Sequence, residues 1–261
     1  MQFRPCIDIH NGKVKQIVGG SLKDSQNYAK ENYVSEKDAA YYAALYRELG
    51  LRGGHVIMLN SRESDYYEDT KKQALLALQT YNGGLMVGGG IDDTNAEEFL
   101  YAGASHVIVT SYLFENDELS IDRMKKLVSA VGAEHVVFDL SVKHFEDGYH
   151  IMSNRWQNKT NAILTADMLK YLEKYCDEYL IHAVDVEGKA RGIEEDVASL
   201  LGGWGKIPVT YAGGVGSFED LRRLKELGRD RLDVTIGSAL SIFGGSMELA
   251  KVVRYISDEA E

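Results

Sequence analysis

The chain has 261 residues, 44% of them hydrophobic and 26% charged, and a formal net charge of −11. That acidic balance argues against a general polyanion binder such as a nucleic-acid protein, but not against a small phosphorylated ligand held by backbone amides. No apolar run reaches the roughly 18 residues of a membrane span. Cys6 and Cys176 have neither metal-type nor CxxC spacing, so neither a metal site nor a disulfide framework is expected. A reducing compartment fits this usage, the start "FRPCIDI" lacks a signal-peptide pattern, and the expected location is the cytosol.

Taken in chain order, short apolar runs alternate with amphipathic segments. "FRPCIDI" opens as a strand, ends in Asp8 and leaves through the polar turn "HNGK". Residues 19–35 form a long polar connection, either a functional loop or a solvated one. "EKDAAYYAALYRELG" (36–50) has a helical period, an acidic start and a glycine stop. The runs "GHVIMLN", "GLMVGGG", "SHVIVTS", "EHVVFDL", "EYLIHAV", "IPVTYAGG" and "LDVTIGS" follow. Their continuous apolar character suits strands buried on both faces of a parallel sheet. Between them, "TNAEEFLYAGA" offers Thr94 and Glu97 at capping-box spacing, and "SFEDLRRLKELG" offers Ser217 and Asp220. A second long connection, 141–161, carries a hairpin signal at Asp147-Gly148. Eight such alternations with no linker predict one (β/α)8 TIM barrel domain spanning 1–261.

An internal repeat sharpens this. Residues 86–114 and 210–243 each run strand, glycine pair, helix, strand, small polar residue and short apolar turn, and "CIDI" (6–9) resembles "VFDL" (137–140). The chain therefore reads as two half-barrels. Asp8 then ends the first strand and Asp139 the fifth, on opposite sides of one mouth. One such aspartate could simply serve loop amides, whereas two at equivalent ends suit an acid and a base working on one substrate. Gly89-Gly90 and Gly213-Gly214 follow strands three and seven, and Thr110-Ser111 and Gly237-Ser238 follow strands four and eight. Two such anion cradles, each beside a helix start, predict a ligand with a phosphate at each end. After strand six, "LIHAVDVEGKARG" places His182, Asp185, Glu187 and Gly188 near the same face. His182 is either a titrating group or a structural one. Trp156 either stacks on a ligand ring or packs its loop.

Together "CIDIHNGKVKQIVGG", "LMVGGGI", "VVFDL", "DVEGKARG", "TYAGGVGSFEDL" and "TIGSALSIF" resemble the HisA/HisF family of histidine biosynthesis along the whole chain, with the closer match to its isomerase branch, of eukaryotic, fungal type. That resemblance implies acid–base isomerisation of an aminoaldose to an aminoketose, an Amadori rearrangement, on a bisphosphorylated small molecule. It implies no cofactor, and a monomer is expected. Asp8 matches the family's base and Asp139 its second carboxylate. Glu187 stands where bacterial members have an aspartate assigned as the acid, so the acid is open between Asp139 and Glu187. His182 stands where they have threonine. Gly19 and Gly20 begin the loop expected to fold over the ligand. Bacterial members often have arginine at Asp92, so here another cation, or the amides alone, would serve that phosphate. The alternatives are the cyclase branch, phosphoribosylanthranilate isomerase and a non-catalytic phosphosugar-binding barrel. Gln16 argues against the cyclase, which usually has lysine there. Cys6, a layer below Asp8, reads as core rather than as the cysteine of the anthranilate enzyme.

Overall fold

The computed structural model describes residues 1–17, 21, 29–154, 156–188 and 192–258. Eight strands carry the fold: β1 (Cys6–His10), β2 (Gly54–Met58), β3 (Leu85–Gly88), β4 (Val107–Val109), β5 (Val136–Phe145), β6 (Glu178–Ala183), β7 (Val209–Ala212) and β8 (Leu232–Thr235). Each pairs in parallel with the next. The residues before β1 close the ring, because Phe3 bridges Val234 in parallel and the Arg4 amide donates to the Val234 carbonyl at 2.8 Å. The expected barrel is formed.

Among the described residues one α-helix follows each strand: α1 (Ala39–Glu48), α2 (Tyr67–Thr80), α3 (Ala96–Tyr101), α4 (Ile121–Val131), α5 (Ala166–Leu172), α6 (Glu195–Trp204), α7 (Phe218–Leu227) and α8 (Leu249–Asp258). Their starts follow local chemistry. The Asp38 carboxylate accepts the Tyr41 amide at 3.0 Å ahead of α1. Ahead of α7, Ser217 Oγ accepts the Asp220 amide, while the Asp220 carboxylate accepts from the Ser217 hydroxyl and the Gly216 amide. Such a cap is worth about 1 kcal/mol. At α3 the expected Thr94–Glu97 box does not form. Asp92 is a nearer acceptor, and Thr94 donates both its amide and its hydroxyl to it.

Inside the barrel the side chains form layers. At the N-terminal end Arg4 pairs with Asp233 at 2.8 Å and Glu178 at 3.6 Å, and Thr210 donates to Glu178 at 2.7 Å. Above lies an apolar layer of Met86, Ile108, Val137, Leu180 and Ala212, packed by Ile57. The candidate site sits above that layer, at the C-terminal ends of the strands. The main core lies between sheet and helices. Tyr46 of α1 is fully buried there, donating its hydroxyl to the Cys6 carbonyl at 2.9 Å.

The half-barrel repeat is visible in the backbone. Asp8 is in register with Ile57 of β2, and Asp139 with Leu180 of β6. Gly89 and Gly213 have φ of +99° and +112°. A Cβ on Gly89 would lie 2.0 Å from the Met58 carbonyl oxygen, and one on Gly213 would lie 2.8 Å from that of Ala183. In both halves a glycine is thus required where the chain crosses the end of the preceding strand.

Two excursions decorate the mouth. Asn11 and Gly12, at φ of 51° and 69°, turn β1 back into an antiparallel strand, Lys13–Ile17, as an Asn-Gly hairpin should. That strand pairs with Glu31–Val34; most of the connection between them, Gly19 and Gly20 included, lies outside the described residues. The expected hairpin at Asp147-Gly148 is formed, because β5 runs on to Phe145 and returns as Gly148–Ser153. A third strand, Asn158–Ile163, pairs with the return.

Candidate active site

A cavity opens at the C-terminal end of the barrel. Its walls come from Asp8 on β1, Gln16 on the returning hairpin, His182 on β6 and Glu187-Gly188 after it. Gly213-Gly214 and Gly237-Ser238 complete the wall after β7 and β8, and Cys6, His55 and Leu180 line its deeper side. Asp8, His182 and Glu187 are all partly buried.

Asp139 is one step back. Its Oδ1 lies 2.9 Å from His182 Nδ1 and accepts the Ser141 hydroxyl at 3.3 Å, and its Oδ2 accepts the Thr110 hydroxyl at 3.1 Å. The sequence-level picture of two bare carboxylates facing across the mouth is therefore modified, with His182 standing between Asp139 and the cavity. Register dictates this. Asp139 pairs with Leu180 and His182 with Ser141, so the histidine is higher in the mouth.

The electrostatics follow from these neighbours. Burial first, then the charge of Glu187, pushes the Asp8 carboxyl up to about 7, partly offset by His182 and the Gln16 hydrogen bond. Burial works against a charged His182, but the Asp139 carboxylate overrides it and raises the ring to about 9. Burial also raises Glu187; His182 opposes that rise and Asp139 adds to it. His55 is lowered to about 3 by burial, aided by His182 and Arg4. At neutral pH the cavity thus holds a carboxylate poised between its two forms and a charged imidazole, the combination that proton transfer needs.

The glycine cradles are split. The β7–β8 cradle lines the cavity, while Gly89-Gly90 and Thr110-Ser111 stand outside it, after β3 and β4. Thr110 is engaged by Asp139, and Ser111 Oγ accepts the Asn154 amide at 3.0 Å. A cation stands beside this second cradle. Arg62, after β2, donates Nε to the Gly90 carbonyl at 2.7 Å and pairs with Asp92 at 2.9 Å. Trp156 has φ of +67° and its ring centroid lies 6.2 Å from that of His182, which places it at the mouth. Among the described residues, no group of three or more His, Cys, Asp or Glu side chains is arranged to hold a metal ion. No described helix is long and apolar enough to cross a membrane.

Comparison with known proteins places the fold in a family. The model of the histidine biosynthesis protein family matches residues 2–247. The chain belongs to that family. Among curated members, it is 49% identical over 259 residues to a protein of Medicago truncatula, covering 98% of this chain and 81% of the relative. It is 45% identical over 247 residues to one of Neurospora crassa, covering 94% and 93%. It is 42% identical over 253 residues to one of Saccharomyces cerevisiae, covering 94% of each. All three are named 1-(5-phosphoribosyl)-5-((5-phosphoribosylamino)methylideneamino)imidazole-4-carboxamide isomerase, the Medicago protein with the further word chloroplastic.

Within this family member, sequence reasoning located Asp8, His182, Glu187 and the β7–β8 glycines, which the fold brings together. It missed Gln16 as a contact of Asp8, Arg62 beside Gly90, and His55 at the deeper side of the cavity. Gln16 could have been found from the Asn-Gly hairpin, which folds it back toward β1. Nothing in the local sequence around Arg62 marks its position.

Proposed function

We propose that this chain is a histidine-biosynthesis isomerase that converts the aminoaldose ProFAR to the aminoketose PRFAR by an Amadori rearrangement. The observation that carries this reading is one cavity shared by Asp8, poised near neutrality, and a His182 held charged by Asp139. The relatives' names supply the substrate, and the paired glycine cradles suit its two phosphates. In the proposed cycle, the His182 imidazolium protonates the ribose ring oxygen and the ring opens to a Schiff base. Asp8 removes the C2′ proton, giving an enolamine. Asp8 then returns that proton to C1′ while the enol hydroxyl proton restores His182, so the catalyst ends as it began. Glu187 stays close to both groups and sets their field, and Gly188, Gly213, Gly214, Gly237 and Ser238 hold one phosphate. Gly89, Gly90, Thr110 and Ser111, with Arg62, frame the other, and Trp156 covers the ligand's ring. Gly19 and Gly20 belong to the loop proposed to close over it.

The proposal extends to one barrel domain over 1–261, acting as a monomer in the cytoplasm. The described residues given a role sit at the ends or in the loops of one ring of eight strands, which supports the first point. The acidic charge of −11 supports a small-molecule ligand over a nucleic acid. The test is an assay of the purified protein on ProFAR, with the cyclase and phosphoribosylanthranilate substrates alongside. Conversion of ProFAR alone is the expected result; no conversion of it overturns the reading.

A further inference from the structure

We infer that Gln16 is a positioning residue for Asp8, aiming the carboxylate into the cavity through a neutral amide. This rests on the acid–base reading above. The Asn11-Gly12 turn folds the strand Lys13–Ile17 back along β1, and Gln16 is only 4% exposed there. A side-chain amide so buried must have its polar atoms occupied. Its Nε2 donates to Asp8 Oδ2 at 3.0 Å and lies 3.7 Å from Cys6 Sγ. Its Oε1 lies over the loop after β8, so close that a Cβ on Gly237 would sit 2.4 Å away. One side chain therefore grips the proposed base at one end and rests on the proposed phosphate cradle at the other.

The residue type matters. A lysine or arginine in this place would hold Asp8 by Coulomb attraction and make it a weaker base. A hydrocarbon side chain would leave the carboxyl free to rotate. The amide fixes the carboxyl's direction and adds no charge. The titratable groups whose charges bear on Asp8 and its surroundings are Cys6 on its own strand, His182 and Glu187 from β6 and the turn after it, and Tyr46 from α1. Against these charges, the neutral Gln16 amide is the group that donates a hydrogen bond to Asp8.

The experiment compares wild type, Gln16→Met and Gln16→Lys, each shown to be folded by its melting curve. ProFAR turnover is followed against pH, and the Asp8 carboxyl is titrated by carbon NMR. In Gln16→Met, kcat should fall about 10–100-fold, as for a lost hydrogen bond to a charged group. KM should change less than about threefold, and the Asp8 titration should move up. In Gln16→Lys, the acidic limb of kcat/KM and the Asp8 titration should both move down by about one pH unit. Unmoved Asp8 titrations in both variants overturn the inference, as does a change confined to KM, which would assign Gln16 to the phosphate loop alone. A wild type that fails on ProFAR while its Asp8 titration still responds to Gln16 overturns the reaction assigned above and leaves the contact standing.

Discussion

Replacing Asp139 by asparagine isolates the charge that holds His182 protonated. The substitution keeps the volume and one acceptor oxygen at the 2.9 Å contact but removes the negative charge. His182 stands at about 9 against an ordinary 6.5, a gap worth roughly 3 kcal/mol in favour of imidazolium. Burial opposes that charged form, and Asp139 is the largest influence supporting it. Without Asp139, burial dominates and the ring should titrate below its ordinary value. At pH 7.5 the imidazolium fraction then falls from nearly all to less than about a tenth, so turnover should fall about tenfold or more. The basic limb of the kcat profile should move from near 9 to below about 7. Steady-state kinetics from pH 6 to 10, with NMR titration of histidine labelled at Cε1, reads both effects. A His182 that still titrates above about 8 in the variant, or undiminished turnover across that range, refutes the reasoning.

Three further outcomes are expected. Asp8→Asn should abolish measurable turnover with KM or ligand affinity little changed. Because the folded Asp8 carboxyl is raised to about 7 from 3.8, stability is lost as pH rises from about 4 to about 7. The same variant should therefore melt about 5 °C higher at pH 8 and nearly unchanged below pH 4, which calorimetry checks. Glu187→Gln should keep turnover within about tenfold; a loss beyond about a thousandfold in the same kinetic assay would assign proton delivery to Glu187 instead of His182. Gly214→Ala, at φ of +79° with its Cβ placed 2.0 Å from the Gly192 carbonyl oxygen, should cost about 2–3 kcal/mol in denaturant melts and raise KM by displacing the β7 cradle.

The barrel was legible because parallel strands buried on both faces leave continuous apolar runs, and because Asp8 and Asp139 interrupt equivalent runs at equivalent places. The glycine pairs were legible for a related reason. Gly89 and Gly213 both turn over the end of the preceding strand, where a side chain cannot fit, so the sequence must repeat them. What could not be read depends on register and on distant loops. That His182 screens Asp139 from the cavity follows from pairing Asp139 with Leu180 and His182 with Ser141, which local sequence does not encode. Arg62 reaches Gly90 across 28 positions. At α3 the capping pattern was misleading because Asp92, two residues before Thr94, captured the hydroxyl first.

The layering of the interior explains why so few groups govern the site. Arg4 is neutralised by Asp233 and Glu178 at the N-terminal end, and the Met86–Leu180 layer separates it from the mouth. Among the described residues that line the cavity, His182 is then the only cation at neutral pH, since burial keeps His55 neutral. Asp8 and Glu187 both look to that single charge. Loss of the His182 proton would therefore raise both carboxyls together. In the proposed cycle, proton donation by His182 would thus strengthen Asp8 as a base at the step where it takes the C2′ proton. A bound phosphate on the β7–β8 cradle would act in the same direction, because a nearby anion disfavours the ionised carboxyl. The proposed acid, base and phosphate site would in this way be coupled through one ring, and removing the ring's charge by Asp139→Asn should alter the Asp8 limb of the pH profile as well as the basic one.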